Sequence, residues 1–217
     1  EIELFPEQRA FVDDLTYHVA AATGVGAGKS YCGAAKALKY AGEWAKSVGV
    51  ITAPSYSILR DATLPSIRSV WPESLTKGFH PSSMSMTVPN GSEVLFRTTD
   101  DPNMLRGPNL AWVWMDEAAR SPLEEFKVLQ GRLRQAGYPH QMWLTTTPNG
   151  FNWFYDEFAR PRAVKRENYK LHHWSARDNP FLPPGFIKNL EESYTPEFAL
   201  QEVEGEFTVV GGNAYFN

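Results

Sequence analysis

A glycine-rich segment that ends in Lys29 and Ser30 constrains the fold of this chain more than any other feature. It follows an apolar stretch that predicts a strand and precedes an alanine-rich stretch that predicts a helix. Glycines let backbone N–H groups turn toward phosphate oxygens, the lysine adds a positive charge, and the serine hydroxyl is a ligand for Mg²⁺. The segment therefore predicts a phosphate-binding loop with these candidate residues: Thr23, Gly24, Val25, Gly26, Ala27, Gly28, Lys29 and Ser30.

The loop departs from the strict pattern G-x-x-x-x-G-K-[ST] at its first position, where Thr23 replaces glycine. An ordinary flexible turn is the alternative interpretation. The additional glycines and the strand-to-helix context favour the phosphate loop. In that loop Lys29 contacts the β and γ phosphates as a catalytic residue, and Ser30 binds the metal ion.

Two adjacent acids, Asp116 and Glu117, follow the apolar stretch 111–115. The carboxyl ends of parallel strands meet at one edge of a sheet, and a phosphate loop opens at that same edge. We expect Asp116 to orient Mg²⁺ or its waters and Glu117 to accept a proton from the attacking water. The alternative is that the acids only favour a helix N-terminus. Their combination with the loop favours a catalytic site.

Apolar and amphipathic stretches alternate along the chain, which indicates a mostly parallel sheet with helical crossovers. Together with the phosphate loop, this predicts an α/β P-loop NTPase fold of the RecA/ASCE-like type, with helices flanking the sheet. The predicted strands are 17–22, 48–53, 111–115, 141–146 and 169–174, a hairpin joins 85–88 to 93–97, and the predicted helices include 6–15, 31–44, 57–70 and 122–134.

The sequence pattern changes after Pro148. An aromatic-rich stretch and a basic stretch follow, and two further helices are predicted from Pro184 and Pro196. A chain of 217 residues is long enough for one core and a small appended unit. We therefore predict a P-loop ATPase core over 1–150 and a small C-terminal lid or linker subdomain over 151–217.

Composition narrows the class of protein. Apolar residues make up 42% and charged residues 21%, which is typical of a soluble folded protein. No apolar run approaches the roughly 18 residues that a membrane span needs, and the N-terminal residues do not form a secretory signal. A net charge of −4 argues against a uniformly basic surface for nucleic acid, but a local basic patch remains compatible with it.

Further polar residues are candidates at the same site. An arginine that stabilises charge on the γ-phosphate could be Arg106, Arg120, Arg132 or Arg134, and Arg106 lies in a loop rich in glycine and proline just before the acidic strand. Thr147 and Asn149 end another predicted strand and could sense the γ-phosphate, although a strand cap is the alternative. Gln8 could read an adenine edge, although a surface glutamine is the simpler interpretation.

With these residues in view, the chain resembles the ATPase domain of the large terminase subunit, the DNA-packaging motor of tailed bacteriophages. The likeness covers nearly all of the chain and is carried by Gln8, the loop 23–30 and the segments 105–109, 114–118, 146–150, 152–155 and 178–181. The resemblance implies that Arg106 is an arginine finger acting in trans, that Glu117 is the catalytic carboxylate, that 145–147 is a coupling motif and that Gln8 binds adenine.

The resemblance also implies a function. A protein of this kind hydrolyses ATP with Mg²⁺ and moves double-stranded DNA into a procapsid, in the cytoplasm of the infected host cell. Its expected partners are double-stranded DNA, further copies in a ring, expected to be a pentamer, on the portal, and the small terminase subunit. Large terminases also carry a C-terminal nuclease domain, and nuclease activity is not predicted for this chain. Many members have an arginine in the phosphate loop where this chain has Val25.

Packaging requires contacts to DNA phosphates that are independent of sequence. The densest basic cluster contains Arg160, Arg162, Lys165 and Arg166, although a solvated charge run is the alternative. Two other functions remain open at this stage. One is a helicase-like nucleic-acid ATPase, and the other is a nucleotide-dependent interaction module with little turnover.

Overall fold

A mostly parallel sheet forms the centre of the molecule. The computed structural model describes residues 2–100, 105–160 and 166–209. The eight strands of the sheet in the described chain are β1 His18–Thr23, β2 Val48–Ala53, β3 Phe79–His80, β4 Ser85–Thr87, β5 Glu93–Thr98, β6 Trp112–Asp116, β7 Gln141–Thr146 and β8 Tyr169–Trp174. They lie in the order β3-β4-β5-β2-β6-β7-β1-β8. The six strands from β5 to β8 in that order are parallel, and β3 and β4 form an antiparallel edge beside β5. The predicted fold class is confirmed.

Helices cover the sheet and connect its parallel strands. Their bounds are α1 Pro6–Asp13, α2 Lys29–Glu43, α3 Tyr56–Ile58, α4 Leu64–Val70, α5 Glu73–Thr76, α6 Leu123–Gln130, α7 Phe186–Ser193 and α8 Pro196–Glu202. A π-helical turn, Leu59–Thr63, joins α3 to α4. In the described part of the chain, no helix has both the length and the apolar character that crossing a membrane requires.

Two predicted helix ends were wrong. The first helix ends at Asp13 instead of residue 15. The helix predicted over 122–134 ends at Gln130 because the next residues pair with the loop before β6. There the Leu110 amide donates to the Arg132 carbonyl at 2.8 Å, and the Leu110 carbonyl accepts from a later amide.

The central strands are buried along their whole length, as expected for parallel strands covered on both faces. On one face, large aromatic rings fill the space between the sheet and α2. The Trp112 and Trp143 rings stack with centroids 5.3 Å apart. Gly33 of α2 lies so close to Trp114 that an added Cβ would be 2.5 Å from the ring. This contact fixes the helix that starts at the phosphate loop against the strand that carries the acid pair.

A buried lysine holds α1 on α2. The Lys36 ammonium donates to the carbonyls of Phe11, Val12 and Asp14 at 3.0, 3.3 and 2.5 Å. These carbonyls belong to the end of α1, where the helix leaves them without intrahelical partners. Burial lowers the pKa of Lys36 to about 7. The contact fixes the position of α1, which carries Gln8.

The segment after residue 150 is attached to the core. Strand β8 pairs with β1 from His18 opposite Tyr169 to Thr23 opposite Trp174, so this part of the predicted 151–217 unit belongs to the central sheet. The helices α7 and α8 follow it. The division at residue 150 and the role of 151–217 as a lid stay predictions.

Candidate functional site

The loop 23–30 lies between the end of β1 and the start of α2, at the carboxyl edge of the sheet. Gly26 and Gly28 both have φ of +76°, which favours glycine. A Cβ at Gly28 would be 2.3 Å from Gln8 Nε2, and a Cβ at Gly24 would be 2.1 Å from the Val203 carbonyl oxygen. The glycines therefore allow both the turn of the loop and the close approach of its neighbours.

Side chains outside the loop bind its carbonyls. Trp174 Nε1 donates to the Ala27 carbonyl at 2.9 Å, and Asn179 Nδ2 donates to the Gly26 carbonyl at 2.6 Å. Gln8 Nε2 donates to the Gly28 carbonyl at 3.3 Å. The Val25 amide donates to the Glu202 carbonyl at 2.6 Å and the Ala27 amide to the Gly24 carbonyl at 3.3 Å, so these contacts hold the shape of the loop around its glycines.

Asp116 is fully buried at the end of β6 and accepts hydrogen bonds from three hydroxyls. Ser30 Oγ and Thr145 Oγ1 donate to Oδ1 at 3.0 and 2.8 Å. Thr63 Oγ1 donates to Oδ2 at 2.8 Å. Burial raises the pKa of the Asp116 carboxyl, and the Glu117 charge raises it further. A serine hydroxyl in contact with an aspartate fits the oxygen ligands that Mg²⁺ prefers.

Glu117 lies beside Lys29 at the mouth of the loop. Its backbone is left-handed, with φ 49° and ψ 42°, which is uncommon for a residue with a side chain. Lys29 Nζ is 3.3 Å from Glu117 Oε1, and the two side chains are only 11% and 17% exposed. In the described residues, Glu117 Oε2 is buried and has no hydrogen-bond partner. Strained backbone is frequent at active sites, where it aims a side chain that regular structure would direct elsewhere.

A cleft of about 330 Å³ opens next to the loop. Gln8 is 3% exposed, so it is not the surface glutamine of the alternative interpretation. Its Oε1 is buried without a hydrogen-bond partner among the described residues, although its Nε2 contacts the loop. Gln8 thus lines the cleft with an amide group whose nitrogen is held on the loop. The cleft is lined by Glu3, Gln8, Gly28, Tyr31, Asn179 and Phe181.

The end of β7 contacts residues before and after the acid pair. Thr145 Oγ1 accepts from Trp114 Nε1 at 2.8 Å and donates to Asp116. Thr146 Oγ1 accepts from the Ala119 amide at 3.2 Å. Thr147 is 9% exposed, and its carbonyl accepts from Thr146 Oγ1. The end of β7 is therefore hydrogen-bonded to Asp116 and to residues on both sides of the acid pair.

The family model described as phage terminase large subunit matches residues 17–204. The chain belongs to this family. The PBSX phage terminase large subunit of Bacillus subtilis (strain 168) is 32% identical over 212 residues, which cover 87% of this chain and 48% of that protein. The chain therefore spans about half the length of this curated terminase.

Solved terminase structures share the fold. The large terminase of a thermophilic bacteriophage superposes with a TM-score of 0.79 at 15% identity, covering 94% of this chain and 53% of that chain. The Thermus phage P74-26 large terminase ATPase domain superposes with a TM-score of 0.74 at 19% identity, covering 95% and 94% of the two chains. The described sheet is thus that of a terminase ATPase domain.

Other residues that the terminase likeness singles out lie on the surface. Arg106 has a half-exposed side chain, and its Nη2 is 3.5 Å from Glu124 Oε1 at the start of α6. Asn149 is exposed, and neither it nor the Thr147 side chain hydrogen-bonds to the loop 23–30 within the described ranges. The structure therefore brings the predicted site residues together at the loop and the acid pair, and less closely at the end of β7.

The predicted basic cluster is only partly described, since Arg162 and Lys165 lie outside the described residues. Arg160 Nη2 is 2.6 Å from Asp156 Oδ1, and Arg166 Nη1 is 3.0 Å from Glu157 Oε2. Both described arginines are thus paired with acids on the same segment, which reduces their attraction for DNA phosphates. Their DNA-binding role stays a prediction.

Several residues around the loop and the acid pair have no predicted role from the sequence. Tyr31 lies in the first turn of α2, directly after Ser30, so its position in the sequence could have indicated the cleft. Asn179 and Phe181 lie in the segment 178–181 that carries the family likeness, but its contact with the loop was not predicted. Thr63 has no motif around it, and only the folded structure brings it to Asp116.

Proposed function

We propose that this chain hydrolyses ATP as the motor domain of a phage large terminase. The observation that carries the proposal is the joint placement of the Lys29–Glu117 ion pair and the Ser30–Asp116 hydrogen bond at one mouth of the glycine loop. The first pair offers a phosphate ligand and a base, and the second offers a metal ligand and the carboxylate behind it. Family membership supports the same function.

The loop and Lys29 would bind the phosphates of ATP. In the described structure Glu117 neutralises the Lys29 ammonium, with 3.3 Å between them. The β and γ phosphates carry more negative charge than one carboxylate, so they would attract Lys29 Nζ away from Glu117. Binding of the substrate therefore releases the carboxylate that the reaction needs.

Glu117 would then act on the attacking water. Its left-handed backbone aims the carboxylate into the mouth of the loop, and one of its oxygens has no other described partner. A carboxylate in this position can orient a water and accept its proton as the γ-phosphate is transferred. Bound Mg²⁺ would neutralise charge on the phosphate oxygens. Ser30 would supply a ligand to it, and Asp116 would hold that ligand and the metal waters in place.

Gln8 would bind the adenine base in the adjoining cleft. Its buried, unpartnered Oε1 can accept from an exocyclic amine while Nε2 remains on the loop carbonyls. Thr147 and Asn149 would respond to the γ-phosphate through the end of β7. Because β7 is bonded to the acid pair, this segment would pass the nucleotide state to the rest of the motor.

The proposed role of the motor is to drive double-stranded DNA into a procapsid. Arg106 would complete the site of a neighbouring copy in a ring on the portal, and Arg160, Arg162, Lys165 and Arg166 would contact DNA phosphates. The small terminase subunit would be a further partner, and the host cytoplasm the place of action. The half-exposed Arg106 side chain supports the contact with a neighbour.

The test is ATP hydrolysis by wild type and Glu117→Gln, with and without duplex DNA. Loss of a general base should lower the rate by about 10²- to 10⁴-fold. ATP affinity should stay the same or increase, because the neutral amide no longer competes for Lys29. Glu43→Gln, at an exposed position of α2, is the control and should match wild type. A Glu117→Gln protein with the wild-type rate, or a wild type that does not bind Mg²⁺-ATP, would contradict the proposal.

A further inference from the structure

The helix after β2 is interrupted where it passes the acid pair. The turn Leu59–Thr63 is π-helical, and the Leu64 amide donates to the Leu59 carbonyl five residues earlier. Pro65 follows and has no N–H to donate, so the ordinary hydrogen-bond ladder is also broken at the next position. The π turn is thus followed directly by a second break in the helical ladder.

The interruption changes which residue faces the sheet. One extra residue in a turn rotates the following side chains by about 100° around the helix axis. Thr63 is the last residue of the turn, it is fully buried, and its hydroxyl donates to Asp116 Oδ2 at 2.8 Å. Single π turns inside α-helices occur frequently at functional sites. The π turn thus coincides with a helical residue in contact with the buried carboxylate.

The three hydroxyls that donate to Asp116 hold different oxygens of its carboxylate, which matters for a bound metal. Ser30 and Thr145 both donate to Oδ1, whereas Thr63 donates to Oδ2. A serine hydroxyl that ligated Mg²⁺ through a lone pair would still donate its proton to Oδ1. Oδ2 would then depend on Thr63, whose hydroxyl is the partner that the described residues give it.

We propose that Thr63 is a positioning residue of the metal–nucleotide site, which holds Asp116 by Oδ2 so that Oδ1 stays directed at Ser30 and the metal. This inference rests on the proposed function, because it concerns the same site. Without the Thr63 hydroxyl, Oδ2 would be a buried oxygen without a partner, and the carboxylate would turn to find one. The lost hydrogen bond destabilises the metal-free and metal-bound states alike, whereas the misplaced Oδ1 weakens only the metal-bound state.

Three substitutions separate this role from general packing. Thr63→Val keeps the shape of the side chain and removes the hydroxyl, and Thr63→Ser keeps the hydroxyl. Thr52→Val is the matched control, because Thr52 on β2 is also fully buried but its hydroxyl has no hydrogen-bond partner in the described structure. Thr63→Cys, with a weaker donor of similar size, serves as a further variant if Thr63→Val does not fold.

The measurement is calorimetric binding of a non-hydrolysable ATP analogue, once with Mg²⁺ and once with EDTA. Direct binding of Mn²⁺ in the presence of the analogue, followed by electron paramagnetic resonance, is a second readout. We expect Thr63→Val to weaken binding about tenfold with Mg²⁺ and to leave binding in EDTA unchanged, which corresponds to one charge-assisted hydrogen bond. Thr63→Ser and Thr52→Val should stay within about twofold of wild type under both conditions.

The outcomes distinguish this inference from the proposed function. If wild type binds the analogue with Mg²⁺ and hydrolyses ATP while Thr63→Val binds equally well, only the role of Thr63 is overturned. Equal weakening of Thr63→Val in Mg²⁺ and in EDTA, or equal weakening in Thr52→Val, also overturns it. If wild type neither binds the analogue nor hydrolyses ATP, the proposed function fails first.

Discussion

At the scale of single residues, the acid pair shows how neighbours in sequence come to lie in different environments. Asp116 ends a buried strand and accepts three hydroxyl hydrogen bonds. Glu117 leaves the strand through a left-handed turn and reaches Lys29. The sequence predicted that the end of a strand would place both acids at the phosphate loop, and it assigned a different role to each. Those roles stay predictions, and the structure adds the physical difference between the two carboxylates.

The contact of Thr63 with Asp116 could not be predicted from sequence. It joins positions 53 residues apart, and it depends on a π turn that no propensity scale indicates. The burial of Gln8 is a similar case, because α1 is placed by the carbonyls that Lys36 binds. Both depend on the packing of helices that the sequence predicts only one at a time.

A buried histidine makes the stability of the sheet depend on pH. His18 starts β1, is 6% exposed and stacks on Tyr169 of β8 at 4.4 Å. Burial lowers the pKa of His18 from 6.5 to about 4. Gln130 Nε2 lies 3.0 Å from His18 Nε2, a contact in which the amide donates to the unprotonated ring. Protonation would therefore break a hydrogen bond and place a charge in the core.

The direction in which stability changes with pH follows from the pKa values of His18 in the unfolded and folded chains. Between pH 6.5 and about 4 the unfolded chain binds the proton and the folded chain does not, so stability falls as the pH is lowered. The free energy of unfolding should fall by up to about 3 kcal/mol across this window from His18 alone. In His18→Phe, which can keep the stacking, that part of the decrease should disappear. Urea unfolding at several pH values measures it, and an unchanged pH dependence in His18→Phe would contradict the assignment.

At the scale of elements, the sequence predicted the parallel strands better than the helix ends. The bounds of β7 and β8 match the predicted ranges 141–146 and 169–174. Short apolar runs between turn residues define such strands locally. The predicted end of α6 was wrong because the chain leaves the helix to pair with Leu110, and that pairing is a tertiary contact. The pairing of β8 with β1 is also a tertiary contact, because the residues of a strand do not specify which strand lies beside it.

The helix α2 contains two glycines that should respond to alanine in opposite ways. A Cβ at Gly33 would lie 2.5 Å from the Trp114 ring, whereas a Cβ at Gly42 would meet nothing within 4 Å. Gly33→Ala should therefore destabilise the fold by about 1–3 kcal/mol through overpacking. Gly42→Ala should stabilise it by about 0.5 kcal/mol, because alanine favours the helix.

Chemical denaturation of both variants tests the packing of α2 on β6. Gly33→Ala should also weaken ATP binding, because α2 carries Lys29 and Ser30 at its start. Gly42→Ala is the internal control, since it changes the same helix without a new contact. Equal stabilisation by both substitutions would mean that α2 does not lie against Trp114 as described.

At the scale of the whole molecule, this chain corresponds to about half of its curated relative and contains the loop, the acid pair and Arg106. Arg106 is on the surface, where it contacts Glu124 weakly at 3.5 Å. An exposed ion pair of this kind contributes little to stability. Leaving Glu124 would therefore cost Arg106 little, as its proposed role in trans requires.

The trans role of Arg106 can be tested by mixing two inactive variants. Arg106→Ala retains a complete loop and acid pair, and Glu117→Gln retains the arginine. In an assembled ring, each protein alone should lose most of its ATP hydrolysis, since an arginine finger contributes about 10³- to 10⁵-fold. In an equal mixture, about one interface in four joins an intact cleft to an intact arginine, so up to about a quarter of the wild-type rate should return.

A mixture of Glu117→Gln with Lys29→Ala distinguishes this recovery from a general effect of mixing. Both changes lie at the mouth of the same loop, at two residues 3.3 Å apart, so no arrangement of copies produces an intact site and no activity should return. The measurement is the ATPase rate against mixing ratio at high protein concentration, with duplex DNA present. Recovery that peaks near the equal mixture requires an arginine from the neighbour. If Arg106 acts within its own chain, every cleft in the first mixture lacks one of the two groups, and the rate stays at the level of the separate variants.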